Sequence, residues 1–552
     1  MLIILLPSVV FLPLLALFSL KVLANKIMES KPSDSGLGMM AELSQAGITL
    51  TRVYSSILPE DMGTFFRTAE KKYSSRLLIY GLKNQTEMAI SQVINGGSGT
   101  PEAFSSMEQK ANDLLKQLDP GDSSRKPIAF GRELLPLAKW AMGFDRKKTF
   151  LLVLQNSMEQ RPTGGLIEGL GVAVLEKGRL LDLTWSRPDD VEVALTGTED
   201  SPQPIKTMLA ESRLLFRDAN WSIDGPSAAV QLKKMYERAT GRGADGVIFF
   251  STKGFEDIIS EVGKVPIGPN LEITAENLKE KSAFAGPEFT LQIAGAMFET
   301  FKAVPFPVIQ GIIKALQNEN ILVVPFAADS ARLAAQQGID GGVRKLLCPA
   351  QLYSSKCSQN FIYLVDANLG AKRSDYFLKK GRRALVTLAP DSPPAVTLEL
   401  AYANTSTVGG SSTAYRGYTR AVIPLESVIQ SVIEVKNGQA VQIMPDNYIE
   451  FGQHIIGFPV EIMPGEALLI KINYISTNKI PIERGIGAYV LNLKKQAGDS
   501  VETEVQIKLG NGMTPLSVYP RAGISDSSLI FRLTMEKSDS AAVEFALNDL
   551  FR

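Results

Sequence analysis

The sequence predicts a multidomain α+β protein with an N-terminal membrane helix and helical bundle, a central mixed α/β domain and a C-terminal β-sandwich. Three observations predict this order. The chain begins with an uncharged apolar run, continues with helical spacing, and changes to short strand-like runs in its last third. Its 552 residues also exceed the size of one ordinary domain. We place the domains at 1–25, 30–145, 148–345 and 360–552.

The first feature is the run from Leu2 to Leu20, which contains no charged residue. As a helix it spans about 28 Å, close to the thickness of a bilayer's hydrocarbon core. We expect an uncleaved anchor through residues 2–20 that holds the bulk of the chain outside the cytoplasm. A cleaved signal peptide, with its cleavage site after Ala24, and a buried core helix are the alternatives. The length of the run and the lack of a preceding Lys or Arg favour the anchor.

Residues 30–145 show helical periodicity. Apolar side chains recur at spacings of three and four near Met39, within 69–80 and within 107–118. The Gly- and Ser-rich segment 96–101 separates the last two of these stretches. The pattern predicts a helical bundle or stalk next to the membrane.

Strands alternate with helices from residue 148 onward. Apolar runs of strand length occur at 149–154, 169–175, 179–185, 246–250 and 321–325. Helical patterns occur at 226–240, 254–262 and 286–318. This alternation predicts an α/β or mixed α+β domain.

Helical spacing almost disappears after Phe361. Short strand-like runs follow at 384–388, 396–400, 421–424, 440–443, 467–472 and 505–509. Gly, Asn and Asp are common between them, as they are in the turns of a β-sandwich.

Composition excludes several functions. The chain has 58 Lys and Arg against 58 Asp and Glu, so it has no net charge that would attract nucleic acid. The chain's one histidine, His454, lies in a strand-like segment and is expected to be structural. A Ser-His-Asp triad and a histidine-based zinc site are therefore not expected. Any chemistry would use carboxylates, Arg, Lys, hydroxyls or an oxygen-ligated metal.

The chain has two cysteines, Cys348 and Cys357, separated by eight residues that include Pro and Ser. We expect them to form a disulfide, because the chain is predicted to be exported. Such a loop contributes about 2–3 kcal/mol to stability in the chain-entropy model. The alternative is two free thiols.

The most informative motif is LLVLQNSMEQRPTGGLIEGLG at 151–171. A buried strand ends in Gln155 and Asn156, and Arg161 precedes the turn Thr163-Gly164-Gly165. Polar groups at the end of a buried strand are typical of α/β ligand sites, and Arg can bind phosphate or carboxylate. We expect the motif to mark the main cleft of the α/β domain, with Arg161 at or near its wall. The alternative is a structural turn in which Arg161 satisfies buried groups.

These residues resemble the bacterial domain-of-unknown-function family 4012, whose signature reads QN…ELRPTGG. Gln160 replaces the family's usual Leu, a change expected to matter little if the side chain faces solvent. The resemblance continues in further blocks at 217–222, 236–241, 244–248, 365–376, 415–420, 464–466 and 495–498. It implies a single-pass envelope protein with a large external part, but no known activity.

A weaker resemblance, in the order of elements, is to the LytR-CpsA-Psr phosphotransferases, which transfer lipid-linked glycopolymers to the cell wall. It implies that Arg161, Arg217 and Asp218 hold phosphate or metal. Mg²⁺ would suit such a site because it takes oxygen ligands and substrate phosphates. No other cofactor is implied.

Two functions are therefore open. One is a non-enzymatic envelope protein whose β-sandwich binds a surface polymer or protein, and the other is a glycopolymer transferase. Convergence of Arg161, Arg217 and an acidic pair in one cleft would favour the transferase, whereas arginines with separate local carboxylate partners would favour the binding or structural module. The acidic pairs at 189–190 and 199–200 are expected to be solvated loops.

Overall fold

The computed structural model describes residues 101–118, 121, 125–195, 199–344, 348, 356–370, 372–407, 413–477, 479–525 and 528–547. The predicted anchor, and the part of the predicted bundle before residue 101, lie outside these residues. Among the described helices, none combines the length and the apolar character needed to cross a membrane.

The chain forms two compact units. In its described part, the first consists of helix α1 (Pro101–Gln117), helix α2 (Arg125–Ala141) and the turn Glu176–Leu180. Met107, Ala111 and Leu114 are buried along one face of α1, as their spacing predicts. Arg125 closes the end of α1 by donating to the carbonyl of Leu118 at 3.0 Å.

The second unit contains everything else, and its first half is a mixed α/β region. Its strands are β1 (Lys148–Asn156), β2 (Leu166–Glu176), β3 (Arg179–Ser186), β4 (Gly246–Phe250), β5 (Val265–Ile267), β6 (Leu271–Ile273) and β7 (Ile321–Pro325). Its helices are α3 (Pro188–Ala194), α4 (Gln203–Met208), α5 (Gly225–Thr240), α6 (Thr252–Val262), α7 (Ala275–Phe284), α8 (Glu288–Ala303), α9 (Pro305–Gln317) and α10 (Ala328–Gln336), with a 3-10 turn at Phe216–Asp218.

Strand β1 is the central strand of a five-stranded sheet with the order β3-β2-β1-β4-β7. It pairs antiparallel with β2 and parallel with β4, and β4 pairs antiparallel with β7. Leu151 and Val153 of β1 are fully buried against Leu232 of α5 and Val247 of β4. The continuous apolar run that predicts a buried strand thus forms the middle of this sheet.

The second half of the unit is almost entirely β. Its strands are β8 (Ser358–Asn368), β9 (Leu378–Ala389), β10 (Ser392–Asn404), β11 (Tyr415–Pro424), β12 (Ser427–Lys436), β13 (Gln439–Gln442), β14 (Asp446–Glu450), β15 (Gln453–Ile462), β16 (Ala467–Ser476), β17 (Ile482–Glu483), β18 (Ile486–Lys494), β19 (Glu502–Leu509), β20 (Met513–Tyr519), β21 (Gly523–Ser525), β22 (Ser528–Thr534) and β23 (Asp539–Leu547). A 3-10 turn at Ser374–Phe377 precedes β9.

These strands form two eight-stranded sheets. One has the order β13-β12-β16-β10-β9-β19-β22-β21, and the other β14-β15-β11-β8-β18-β23-β20, with β17 paired to β18. A single hydrophobic core contains Ile362 and Tyr489 from one sheet and Val386 and Ile470 from the other. The sheets therefore enclose one core between them, as in a β-sandwich.

The structure confirms the mixed α+β character and the strand-rich last third. The helical pattern at 286–318 is two helices, α8 and α9, because Pro305 begins a new helix at its first position. Several strands lie where no strand was predicted, among them β12, β18 and β23.

Candidate functional site

The motif residues form a closed turn at the end of β1. The backbone N–H of Glu159 donates to the carbonyl of Asn156 at 3.2 Å, and that of Leu166 donates to the carbonyl of Glu159 at 2.8 Å. The N–H of Gly164 donates to the carbonyl of Arg161 at 3.0 Å. Nearly every residue of this turn is buried. Its polar groups therefore need protein partners, because an unpaired buried group is costly.

One set of partners involves the side-chain amides of Gln155 and Asn220. Both donate to the hydroxyl of Thr163, at 2.6 and 3.0 Å, and both donate to the carbonyl of Gly165, at 3.3 and 2.9 Å. The hydroxyl of Ser157 donates to the carbonyl of Gly164 at 2.6 Å. These contacts hold the Thr-Gly-Gly segment against β1.

The two glycines of the turn have backbone conformations that favour glycine, with φ of +132° at Gly164 and +150° at Gly165. A Cβ on Gly165 would lie 2.3 Å from the carbonyl oxygen of Asn156. The glycine is thus required by the close approach of two backbone segments.

Arg161 is the centre of the site and is 1% exposed. Its guanidinium donates to the carboxylate of Asp218 through Nε at 2.9 Å and through a terminal nitrogen at 2.8 Å. It lies 3.5 Å from Glu159 and donates to the carbonyls of Gln160 and Asn368. This buried guanidinium therefore has partners from three separate parts of the chain.

Asn156 belongs to a second buried cluster, centred on Glu168. The Asn156 amide donates to the Glu168 carboxylate at 3.2 Å, Thr290 donates to it at 2.5 Å, and Arg373 forms an ion pair with it at 2.6 Å. Burial raises the pKa of Glu168, and the positive charge of Arg373 opposes that rise.

Gln160 and its neighbours connect the motif to the β-rich half. The Gln160 backbone N–H donates to Asp375 at 3.0 Å, and its side-chain amide donates to the carbonyl of Ala497 at 2.7 Å. The side chain of Gln496 donates to the carbonyl of Arg161 at 3.1 Å and to that of Asp366 at 2.8 Å. Gln160 is buried and does not face solvent, so its substitution for the family's Leu introduces a hydrogen bond.

Arg217 lies apart from this network, although it is adjacent to Asp218 in the sequence. Its side chain is 41% exposed and forms an ion pair of 3.3 Å with Glu192 of α3. The two candidate arginines therefore have different carboxylate partners. They do not converge on one position where a phosphate could bind.

Burial and charge shift several pKa values around the motif. Burial raises the pKa of Glu159, and Arg161 opposes the rise. Burial would also raise the pKa of Asp366, but Lys380 and Arg382 lower it to about 2. For Lys495 the effect of burial is larger than that of the nearby carboxylates, and its pKa is lowered to about 8.

The structure does not place Arg161 at the wall of an open cleft, because its side chain is buried. Gln155, Thr163 and Gly165 are buried and bonded to one another, Arg161 is paired with buried Asp218, and Asn156 is bonded to Glu168. The reason is that β8, the 3-10 turn at Ser374–Phe377 and the segment 495–498 cover the end of β1.

A metal does not fit these residues. Asp218 is buried and already accepts two N–H groups from Arg161. Among the described residues, no group of three His, Cys, Asp or Glu side chains could hold a metal ion.

Three further sequence features lie elsewhere. Cys348 and Cys357 are joined by a disulfide. His454 lies in β15, and its ring contacts Asn447. Asp189 and Asp190 lie in the first turn of α3 and not in a loop, while Glu199 and Asp200 form surface ion pairs with lysines of α5 and α4.

Comparison with known families identifies the motif region. The model of a family described as a protein of unknown function, DUF4012, matches residues 145–282. The motif region belongs to DUF4012. The match confirms the resemblance seen in the sequence and supplies no activity. No curated protein matches the chain.

Three solved structures illustrate the matches, and all three are distant. A putative nutrient-binding protein from Legionella pneumophila is 9% identical, with a TM-score of 0.22, over 31% of this chain and 67% of that one. An M1 zinc metallopeptidase from Deinococcus radiodurans is 10% identical, with a TM-score of 0.19, over 31% of this chain and 42% of that one. The Lin1025 protein from Listeria innocua is 14% identical, with a TM-score of 0.20, over 35% of this chain and 78% of that one. At these scores the matches establish neither fold nor function, and the similarity to LytR-CpsA-Psr enzymes stays a prediction.

Proposed function

We propose that this chain is a membrane-anchored extracytoplasmic protein of the cell envelope that acts as a binding or structural module and not as an enzyme. One observation carries the proposal. The motif that contains the candidate catalytic residues forms a buried interface between the α/β half and the β-rich half of one unit. Arg161 is paired with Asp218 there, and both side chains are buried. A catalytic group must be able to reach a substrate, whereas a structural ion pair needs only its partner.

Two further observations support the location. The run from Leu2 to Leu20 is long enough and apolar enough to span a bilayer. The disulfide between Cys348 and Cys357 suits an oxidising compartment outside the cytoplasm.

The transferase alternative requires arginines and carboxylates that meet at a phosphate. Arg161 pairs with buried Asp218, and Arg217 pairs with Glu192 near the surface. Separate partners leave no shared anion site, so we do not propose this reaction for the motif.

Protease treatment of intact protoplasts tests the location. We expect added protease to digest the bulk of the chain while a cytosolic marker protein stays intact. The variant Leu12→Arg is compared with the unmodified chain. Its charge at the centre of the run should hinder membrane insertion, at a free-energy cost of about 3 kcal/mol. Full protection of the unmodified chain from protease, lost only on lysis, would contradict the proposal.

Thiol alkylation gives an independent test. Without reductant, we expect neither Cys348 nor Cys357 to be modified in protein taken directly from cells, and both to be modified after reduction. Mass spectrometry separates these states. Two modified cysteines before reduction would argue against both the bridge and export.

A further inference from the structure

A cluster of aromatic side chains lies on the surface where α7 ends and β9 begins. Phe284 packs edge-on against Tyr376, with ring centres 5.1 Å apart, and against Phe377 at 6.1 Å. Tyr376 and Phe377 are themselves perpendicular at 5.0 Å. Phe284 is nevertheless 57% exposed. A ring left this exposed contributes little to the core and remains available to a ligand.

Three lysines lie close to this cluster along the chain or in space. The Lys279 ammonium is 5.9 Å from the ring centre of Tyr376. Lys372 precedes Tyr376 by four residues, and Lys379 follows Phe377 by two. All three are exposed, and none forms an ion pair with a carboxylate of the described residues. The ammonium groups of these three lysines are therefore available to a ligand.

An open groove of about 570 Å³ begins at Lys379 and crosses the outer face of the sheet. Its floor takes one residue from each of four neighbouring strands in direct register, namely Gly381 of β9, Ala401 of β10, Leu469 of β16 and Val435 of β12. Glycine and alanine at two of these positions leave a shallow channel between larger neighbours.

The charged side chains that lie beside the groove floor on the same face, two residues along each strand, form ion pairs. Glu399 accepts from Lys471 at 2.8 Å and lies 3.8 Å from Arg383. Lys379 thus brings unpaired positive charge to the end of the groove that follows Phe377 in the chain. An occupant complementary to this surface would carry negative charge at that end and apolar surface along the floor.

We propose that the groove binds a polysaccharide chain that carries acidic groups. A sugar ring has a face of C–H bonds that can stack on the electron-rich face of an aromatic ring, which suits Phe284 and its neighbours. The apolar floor suits the same C–H faces, while Asn437 in the groove wall can bond to hydroxyls. Lys279 and Lys379 would pair with the acidic groups.

The shape of the site favours a polymer over other partners. The groove is open, so a chain can pass through it without a free end. A protein strand would need an unpaired sheet edge, but the groove lies over β12, β16, β10 and β9, each of which has a strand on both sides. This inference rests on the proposed function, since it names the kind of envelope polymer that the module would bind.

The test uses the full chain in detergent and three probes of six units: a mannuronate oligomer, a neutral mannose oligomer of the same linkage, and hexaglutamate. Calorimetry should show binding of the acidic sugar, weaker binding of the neutral sugar and none of hexaglutamate. Phe284→Ala should weaken binding of both sugars at least tenfold, or about 1.4 kcal/mol. Lys379→Gln should weaken only the acidic sugar and reduce the salt dependence of its binding.

Phe298→Ala is the matched control, because Phe298 also lies beside a lysine, with Lys302 at 5.1 Å, but is not part of the cluster of Phe284, Tyr376 and Phe377. Its binding should equal that of the unmodified chain, and thermal melting should show that all variants are folded. The proposal is overturned if neither sugar binds, if Phe284→Ala binds as tightly as Phe298→Ala, or if hexaglutamate binds as well as the acidic sugar. Because this binding is measured in solution, it does not depend on the cellular location, so its failure and a failure of the protease test are distinguishable.

Discussion

Replacing Arg161 by methionine should destabilise the protein strongly, because the change leaves a buried charge without its partner. Asp218 is 1% exposed and bonds to the Arg161 guanidinium through two nitrogens. Glu159, also buried, lies 3.5 Å from the same group. Removing one partner of a buried ion pair typically costs about 3–5 kcal/mol.

The size of the unit converts this loss into a melting temperature. The unit that contains Arg161 has about 400 residues. At about 2.1 cal/mol/K per residue, its unfolding entropy is ~0.8 kcal/mol/K, so a loss of about 4 kcal/mol lowers Tm by ~5 °C. The carbonyl of Asn368 also loses its donor, so the β-rich half should be affected together with the α/β half.

Calorimetry measures the melting temperature and urea unfolding measures the free energy of unfolding, each for Arg161→Met and for a control variant. Arg217→Met removes a guanidinium at a neighbouring position, but its side chain is 41% exposed and its pair with Glu192 is near the surface. This control should lose less than about 1 kcal/mol. In the double variant Arg161→Met/Asp218→Leu no charge of that pair remains buried, so it should regain part of the lost stability. Equal stability of Arg161→Met and Arg217→Met would refute the structural role of Arg161.

Two further predictions concern pH and backbone. Because burial lowers the pKa of Lys495 to about 8 from its usual 10.5, the unfolded chain binds more protons between these values. The contribution of Lys495 to the free energy of unfolding should therefore rise with pH across that window, by up to about 3 kcal/mol. Urea titrations at several pH values should show a smaller rise in the free energy of unfolding for Lys495→Met. Gly165→Ala should cost roughly 3 kcal/mol or more, because its Cβ would meet the Asn156 carbonyl at 2.3 Å, and it should melt well below the control Gly295→Ala, whose Cβ has open space. A melting temperature shared by the two glycine variants would show that the turn can relax.

The elements of the α/β half could be predicted well because their signals are local. The apolar run of β1, the helical spacing of α5 and the Gly after it each depend on a few neighbouring residues. The strands missed in the last third, such as β18 and β23, are fully paired in the sheet interior, so they lack the alternation of a half-exposed strand.

The role of the motif could not be predicted in the same way, because it depends on distant residues. Gln160 bonds to Asp375, 215 positions away, and Gln496 bonds to Arg161 across 335 positions. A strand end with polar residues predicts a crevice only if nothing covers it. Nothing near residue 160 indicates that β8 and the segment 495–498 lie over that end.

One signal of this arrangement lay in the sequence blocks on which the resemblance to the family rests. Their residues meet in the structure: Asp218 bonds to Arg161, Asn368 accepts from Arg161, and Asp375 accepts from Gln160. Blocks that are far apart in sequence are expected in one protein if their residues form a single interface in its structure. An active site would explain only those blocks whose side chains reach a substrate. A buried interface explains the turn glycines, the paired charges and the backbone contacts together. In this chain the signature residues therefore hold the α/β half and the β-rich half together, and we expect ligand binding on surfaces outside them.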